Sequence, residues 1–294
     1  MGRKLHWDTM FELIKRFDPA KPTSYQMPQT SEEACQLLVQ GNRDFAEMTD
    51  SHNSGKKTHV IHFDPQAFGW GVGNGDAPTQ APFAAVLGCA DARVPTEMVF
   101  SKGCNELFVV RVAGNVLGQE CLGSLRYAVS HFPSTLKLVV VLGHAQCGAV
   151  TEAVKLYLEP RRYLDIATDH SLRSIGDQIM VAVRVAAMGL ETLYGFEVIR
   201  RPKYRAALLE AAVVLNAAWS AYCLRQEFRT QSPDLGVVFG TYDFVSRHVR
   251  LPLSRPGELA EEERGLFATP EDVEGFRELA SRICSGSHVR SLLA

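Results

Sequence analysis

Two apolar segments, each ending in a glycine that precedes a metal-ligand residue, constrain the fold of this chain most. The first, Ala84-Ala-Val-Leu-Gly88, leads to Cys89, and the second ends at Leu142-Gly143 and leads to His144. Uniformly apolar, partly β-branched segments of this length are typical of strands covered on both faces. Because ligands gather at the carboxyl ends of such strands, the two segments predict a site at one edge of a sheet.

Strands and helices alternate through the middle of the chain. The expected order is strand 83–88, helix 95–102, strand 107–112, helix 121–132, strand 136–142 and helix 147–157. This alternation predicts an α/β fold with a mostly parallel β-sheet flanked by helices. Further elements are expected at 30–48 (helix, opened by the capping box Thr30-Ser-Glu-Glu33), 204–229 (helix), 235–240 and 244–251 (strands) and 270–283 (helix).

The chain divides into three parts: an N-terminal amphipathic segment with a Pro-rich linker (1–29), a central domain (30–252) and a C-terminal extension (253–294). Apolar residues at helical spacing in 8–17 predict a short amphipathic helix, which with helix 30–48 would form an N-terminal helical arm. The segment 50–80 is rich in Gly, His and Asn and predicts a long surface loop. A second metal site is the alternative there, built from His52, His59 and His62.

Cys89, His144 and Cys147 would place two thiolates and one imidazole on one ion, a donor set that suits Zn²⁺. Structural zinc sites normally have four protein ligands, so three predict an open coordination position. Asp91 and Arg93 follow Cys89 by two and four residues. Beside a metal they would form a functional acid–guanidinium pair, and without one they would be an ion pair that ends the strand.

The spacing Cys89-x-Asp91-x-Arg93, followed 51 residues later by His144-x-x-Cys147, resembles the β-class carbonic anhydrases. The resemblance extends over about residues 31–250. It includes Phe108-Val-Val-Arg111-Val-Ala-Gly-Asn115, Gly123-Ser-Leu-Arg-Tyr127-Ala, and Gly41-Asn42 with Phe45.

This resemblance implies one Zn²⁺ per chain, held by Cys89, His144 and Cys147, and the reversible hydration of CO₂ to bicarbonate and a proton by a zinc-bound hydroxide. It also implies that Asp91 accepts the hydrogen of the hydroxide while Arg93 keeps Asp91 ionised. In some members the aspartate moves onto the zinc when its arginine contact is lost. The family further implies a homodimer or a tetramer built from dimers.

The resemblance also assigns substrate-binding roles to Gln80, Phe108, Tyr127 and Gly148. Gln80 resembles a glutamine of the subclass with an accessible zinc. Members whose zinc site closes on bicarbonate tend to have a tryptophan where this chain has Val86. Gly88, by contrast, resembles those members. We favour an open zinc site because of Gln80. A role as ordinary core aromatics suits Phe108 and Tyr127 equally well. For Arg111 there are two roles, pairing across a dimer, which we favour, or part of an anion-binding region.

Several positions depart from the family pattern, namely Ala90, Ala92, Val112 and Arg126. These departures leave the metal ligands intact but put the rate and the substrate in doubt. One alternative function is therefore hydrolysis of carbonyl sulfide or carbon disulfide on the same fold. The other is a non-catalytic zinc scaffold, in which Asp91 would be a fixed fourth ligand.

Composition bears on the partners and the compartment. With 31 Lys and Arg against 33 Asp and Glu, the net charge of −2 gives no basic field that would attract nucleic acid. Seven irregularly spaced cysteines predict reduced thiols and a cytoplasmic location, with a microcompartment or a membrane surface left open. We expect no transmembrane segment, because no stretch approaches about 20 consecutive apolar residues.

Overall fold

The computed structural model describes residues 11–17, 27–48, 57–69, 77–255, 258 and 260–294. Its strands are β1 (Phe11–Arg16), β2 (Lys57–His62), β3 (Ala84–Cys89), β4 (Leu107–Val112), β5 (Leu138–His144), β6 (Gly236–Tyr242), β7 (Val249–Arg250) and β8 (Phe267–Ala268). Its helices are α1 (Ser31–Met48), α2 (Thr96–Val99), α3 (Gln119–His131), α4 (Gly148–Leu158), α5 (Tyr163–Ile166), α6 (His170–Tyr194), α7 (Tyr204–Phe228), α8 (Val273–Ser285) and α9 (Ser287–Leu293).

Six of the strands form one sheet in the order β4-β3-β5-β6-β7, with β8 also paired to β6. The strands β4, β3, β5 and β6 run parallel, whereas β7 and β8 run antiparallel to β6. Every residue of β3 and β5 is buried, as expected for strands with helices on both faces. The predicted α/β fold with a mostly parallel sheet is confirmed.

One face of the sheet is covered by α3, α4, α6, α7 and α8, which form the larger core with alternate residues of β3 and β5. Helix α7 packs on β5 and β6 and on α4, α6 and α8. By length and composition it could cross a membrane, which the sequence analysis did not foresee, but 72% of its most apolar window is buried inside the domain. A helix that is apolar on most sides suits such a buried position.

Helices α1 and α2 cover the opposite face over a second, smaller core. The predicted cap of α1 is present, since the Glu33 N–H donates to Thr30 Oγ1 at 3.1 Å. Gly41 lets α1 approach α2 closely, because a Cβ atom there would lie 1.9 Å from the Phe100 carbonyl oxygen. This contact fixes the helix on the sheet.

The predicted amphipathic helix at 8–17 is wrong for the described residues 11–17. Residues 11–16 form β1, which pairs in parallel with β2; residues 8–10 lie outside the described part. Side-chain burial alternates along the strand, with Ile14 half-buried between the exposed Leu13 and Lys15. Four apolar residues at helical spacing are too few to distinguish the two periods, and the pairing with β2 decides for the strand.

The predicted surface loop at 50–80 is also partly wrong, because it contains β2 and a short 3₁₀-helix at Pro65–Phe68. His59 lies on β2, where its Nε2 is 2.9 Å from Ser101 Oγ, whereas His52 lies outside the described residues. The described part of the chain contains one group of His, Cys, Asp or Glu residues that are close enough to share a metal ion. His59 is not a member of this group.

The strand predicted at 244–251 is reduced to β7. The Asp243 side chain accepts a hydrogen bond from the Val245 N–H at 2.8 Å, and Arg247 has a φ of 61°, so a turn occupies the first part of this segment. The helix predicted at 270–283 corresponds to α8, which packs against α6 and α7, and α9 follows it against α7.

Candidate metal centre

The side chains of Cys89, His144 and Cys147 meet at the carboxyl edge of the sheet, and we call them the donor cluster. Their ligand atoms all lie within 4.8 Å of one another, and all three residues are buried. The sulfur atoms of Cys89 and Cys147 are 3.9 Å apart. The structure therefore brings together the three residues that the sequence predicted as metal ligands.

Local structure explains this convergence. Cys89 is the last residue of β3 and His144 the last residue of the neighbouring β5, so both side chains leave the sheet at one edge. Gln146 adopts a left-handed φ of 54°, which turns the chain back toward the sheet. Cys147 follows as the N-terminal cap residue of α4.

The two thiols affect each other's ionisation. The hydrogen bond from Cys147 lowers the pKa of Cys89 to about 4, with a smaller contribution from the Gly114 N–H, which donates to Cys89 Sγ at 3.3 Å. The same pairing, together with burial, raises the pKa of Cys147, although the backbone N–H groups of Ala149 and Val150 oppose this rise. One thiolate forms readily, and the second requires a cation beside it.

A zinc ion fits these residues. Two thiolates that bind zinc tetrahedrally at about 2.3 Å have sulfur atoms about 3.8 Å apart, close to the 3.9 Å between Cys89 and Cys147. His144 Nδ1 lies 3.0 Å from the Ala145 carbonyl oxygen, an arrangement that places the proton on Nδ1 and the lone pair on Nε2. Nε2 is buried and has no hydrogen-bond partner within the described residues. Nor does any fourth residue of a ligating type join the cluster there.

Asp91 and Arg93 form a closely bonded pair in the turn after β3. The Arg93 side chain donates from Nε to Oδ1 at 2.9 Å and from Nη2 to Oδ2 at 2.7 Å, and its backbone N–H donates to Oδ1 at 2.9 Å. These bonds, chiefly those of the side chain, hold the pKa of Asp91 well below its usual range. Asp91 Oδ2 lies 3.8 Å from His144 Nε2, so an ionised carboxylate stands beside the cluster but is directed toward Arg93.

Phe244 completes this corner of the site. The Arg93 guanidinium lies 4.4 Å from the centre of the Phe244 ring, and the His144 ring meets the same ring edge-on at 5.6 Å between centres. Phe244 thus supports both the metal-ligand side and the Asp91 side of the site. The sequence analysis missed this residue because it lies in a turn that was predicted as a strand.

Residues 84–215, which include the whole donor cluster, match the sequence model of the carbonic anhydrase family. This part of the chain is therefore similar to the carbonic anhydrases. Carbonic anhydrase 2 of Mycobacterium tuberculosis is 38% identical over 129 residues, which cover 44% of this chain and 55% of that protein. The carbonic anhydrase of Mycolicibacterium smegmatis is 49% identical over 71 residues, 24% of this chain and 34% of that protein.

A solved structure of the Coccomyxa β-carbonic anhydrase in complex with acetazolamide has a TM-score of 0.44 and 22% identity, and covers 72% of this chain and 83% of that chain. The chain spans about half the length of the mycobacterial carbonic anhydrase 2 that it matches. The family match ends within α7, so the end of that helix, β6 to β8 and the C-terminal helices lie beyond it.

Arg111 lies on β4 opposite Gly88 and binds the chain at the end of β3. Its Nε donates to the Cys89 carbonyl at 2.9 Å, and its Nη2 donates to the Asp91 carbonyl at 2.5 Å. Within the chain, Arg111 thus holds the segment that joins Cys89 to Asp91. Its pairing across a dimer stays a prediction.

The four residues predicted to bind substrate lie farther apart than the three residues of the donor cluster. Gly148 directly follows Cys147 and is exposed at the start of α4. Gln80 is exposed and precedes β3, at the end of the strand opposite the cluster. Phe108 pairs in register with Ala85, four residues or about 13 Å along the strand before Cys89.

Tyr127 lies with Phe108 rather than with the donor cluster. Their ring centres are 6.4 Å apart, and Tyr127, which is 48% exposed, also stacks on His131 at 3.9 Å. Within one chain the structure therefore does not join Gln80, Phe108 or Tyr127 to the cluster. Their substrate-binding roles stay predictions.

Proposed function

We propose that this protein catalyses the zinc-dependent, reversible hydration of carbon dioxide to bicarbonate and a proton. The observation that carries the proposal is the buried donor cluster with an ionised carboxylate, that of Asp91, 3.8 Å from His144 Nε2. Three donors favour a catalytic zinc over a structural one, which normally has four protein ligands.

Cys89, His144 and Cys147 would hold the zinc. Zinc bound there supplies an acidified water as the nucleophile near neutral pH. Because two thiolates offset the charge of Zn²⁺, this centre depends on its polar neighbours more than one with three imidazoles. The Gly114 N–H, 3.3 Å from Cys89 Sγ, withdraws charge from one sulfur.

Asp91 is the residue that would orient the nucleophile. Its low pKa keeps the carboxylate ionised, so it can accept the hydrogen of the nucleophile and direct a lone pair toward CO₂. Arg93 holds both carboxylate oxygens and keeps Asp91 from turning onto the metal. The Arg93 side chain is 57% exposed, so this side of the site opens to solvent, where the proton can pass to buffer.

We further propose a homodimer or a tetramer of dimers in the cytoplasm, as the family resemblance and the cysteine usage suggest. Light scattering coupled to size-exclusion chromatography tests the assembly. A monomer at micromolar concentration would contradict it.

The test of the activity is stopped-flow CO₂ hydration by purified, zinc-quantified protein from about pH 6.5 to 9. We expect a rate above that of buffer, which rises with pH and which Asp91→Asn abolishes while zinc stays bound. The control is Glu197→Gln, which removes an exposed carboxylate paired with Arg200 at 2.9 Å and should leave the rate unchanged. No turnover at any pH with one zinc per chain would refute the proposal.

The two alternative functions predict different outcomes if CO₂ hydration is absent. Hydrolysis of carbonyl sulfide or carbon disulfide by the same zinc-loaded protein would support the sulfur-substrate function. Absence of both activities would support the zinc scaffold.

A further inference from the structure

Helix α7 carries two buried polar side chains four residues apart that the proposed mechanism does not use. Asn216 is 1% exposed, and its Nδ2 donates to the Gly114 carbonyl at 2.7 Å. Ser220 Oγ donates to the Asn115 carbonyl at 3.1 Å. One helix therefore holds two consecutive carbonyls of the loop that follows β4.

That loop needs these donors. Gly114 and Asn115 both have left-handed φ values, 70° and 45°, so the backbone turns away from the strand at this point. Both residues are buried, and a buried carbonyl outside the β-ladder requires a partner. Gly114 is also tightly packed, because a Cβ atom there would lie 2.8 Å from Ile179 Cδ1. Packing on one side and Asn216 on the other fix the backbone of Gly114.

Gly114 also contacts the donor cluster, since its N–H donates to Cys89 Sγ at 3.3 Å. The carbonyl and this N–H lie in the two peptide planes that meet at the Cα of Gly114. Because packing against Ile179 restricts rotation there, the bond that holds the carbonyl also limits the direction of the N–H. A hydrogen bond to a thiolate withdraws charge from the sulfur and orients it. Mutation of a residue that hydrogen-bonds to a metal ligand typically lowers metal affinity by about 10- to 100-fold.

We propose that Asn216 is a positioning residue for the metal centre, which acts through Gly114 on the Cys89 thiolate. The inference rests on the proposed function in one respect, that the donor cluster holds a divalent metal. It adds a contribution from α7, an element that supplies no member of the cluster. The amide of Asn216 and the sulfur of Cys89 are joined by one residue of backbone.

Ser220 offers the matched control. It supports the same loop from the same helix with the same kind of hydrogen bond, but its partner Asn115 makes no hydrogen bond to a cluster sulfur within the described residues. Ser220→Ala should therefore cost stability without a change at the metal. Asn216→Leu removes the donor at similar volume and should affect both.

The experiment measures metal binding rather than turnover. Zn²⁺ affinity is determined by competition with a chromophoric chelator, and the Co²⁺-substituted protein is examined for its thiolate-to-metal charge-transfer band. We expect Asn216→Leu to weaken Zn²⁺ binding by about 10- to 100-fold. The band should move to longer wavelength, because a sulfur that has lost a hydrogen bond gives up electron density more easily. Ser220→Ala should match the wild type in both measurements.

Equal affinity and an unchanged band in Asn216→Leu, with circular dichroism that shows a folded protein, would overturn the inference, and so would an equal effect of Ser220→Ala. If Asn216→Leu does not fold, Asn216→Ala removes the same donor with less bulk and is judged by the same criteria. A wild-type protein that binds no Zn²⁺ would instead refute the proposed metal centre itself. Loss of CO₂ hydration with metal binding intact would concern only the proposed activity.

Discussion

Replacing Arg111 with leucine should slow CO₂ hydration about 30-fold while zinc remains bound. Arg111 holds the carbonyls of Cys89 and Asp91 through donors at 2.9 and 2.5 Å. A hydrogen bond from a charged donor contributes about 1.5–3 kcal/mol when it is buried. Because the guanidinium is exposed, we take about 1 kcal/mol for each bond. Loss of both bonds would raise the activation free energy by about 2 kcal/mol, which lowers kcat/KM about 30-fold.

The assay is stopped-flow kcat/KM on protein with measured zinc content. Arg111→Lys places one compact ammonium where a planar fork reached two carbonyls, so we expect a smaller loss of about fivefold. Arg277→Leu, which removes an exposed arginine paired with Glu274 on α8, is the control and should match the wild type. If Arg111→Leu keeps kcat/KM within about twofold at full zinc occupancy, Arg111 does not position the site.

Two further predictions concern the fold and the metal. Gly41→Ala should lower the free energy of unfolding in urea by about 3 kcal/mol, because the new Cβ atom would lie 1.9 Å from the Phe100 carbonyl oxygen. Its control is Gly123→Ala on α3, where a Cβ atom meets nothing within 4 Å; equal stability of the two variants would contradict the packing argument. Dialysis against a zinc chelator should abolish CO₂ hydration and one equivalent of zinc should restore it, whereas activity that survives metal removal would exclude a metal-dependent reaction.

The sheet and the donor cluster could be predicted because their signals are local. The apolar segments that become β3 and β5 are short and uninterrupted, and each delivers its ligand at the residue where the strand ends. Neighbouring parallel strands then bring Cys89 and His144 together. Asp91 and Arg93 are two residues apart, so their pairing needs no information from the rest of the chain.

The contacts that sequence analysis missed depend on distant segments. β1 pairs with β2, which lies more than 40 residues later, and the sequence of 8–17 alone does not predict that partner. The bond from Asn216 to Gly114 spans 102 residues, and Asn216 stands in an otherwise apolar helix where a polar residue has many possible uses. The Arg111 contacts are equally hidden, because the register of β4 against β3 decides which carbonyls its side chain reaches.

The support that α7 gives to the loop after β4 bears on when the metal centre forms during folding. Cys89 and Cys147 are 58 residues apart, and the Cys89 thiolate receives its N–H from a loop held by a helix encoded still later. Contacts of such long sequence separation form slowly, because closing a long loop costs conformational entropy before the contact stabilises the chain. A ribosome-bound chain that ends before α7 would carry all three ligands without this support. For the proposed zinc centre, the rate at which a refolding chain captures zinc would therefore measure the docking of α7 as well as the pairing of the strands.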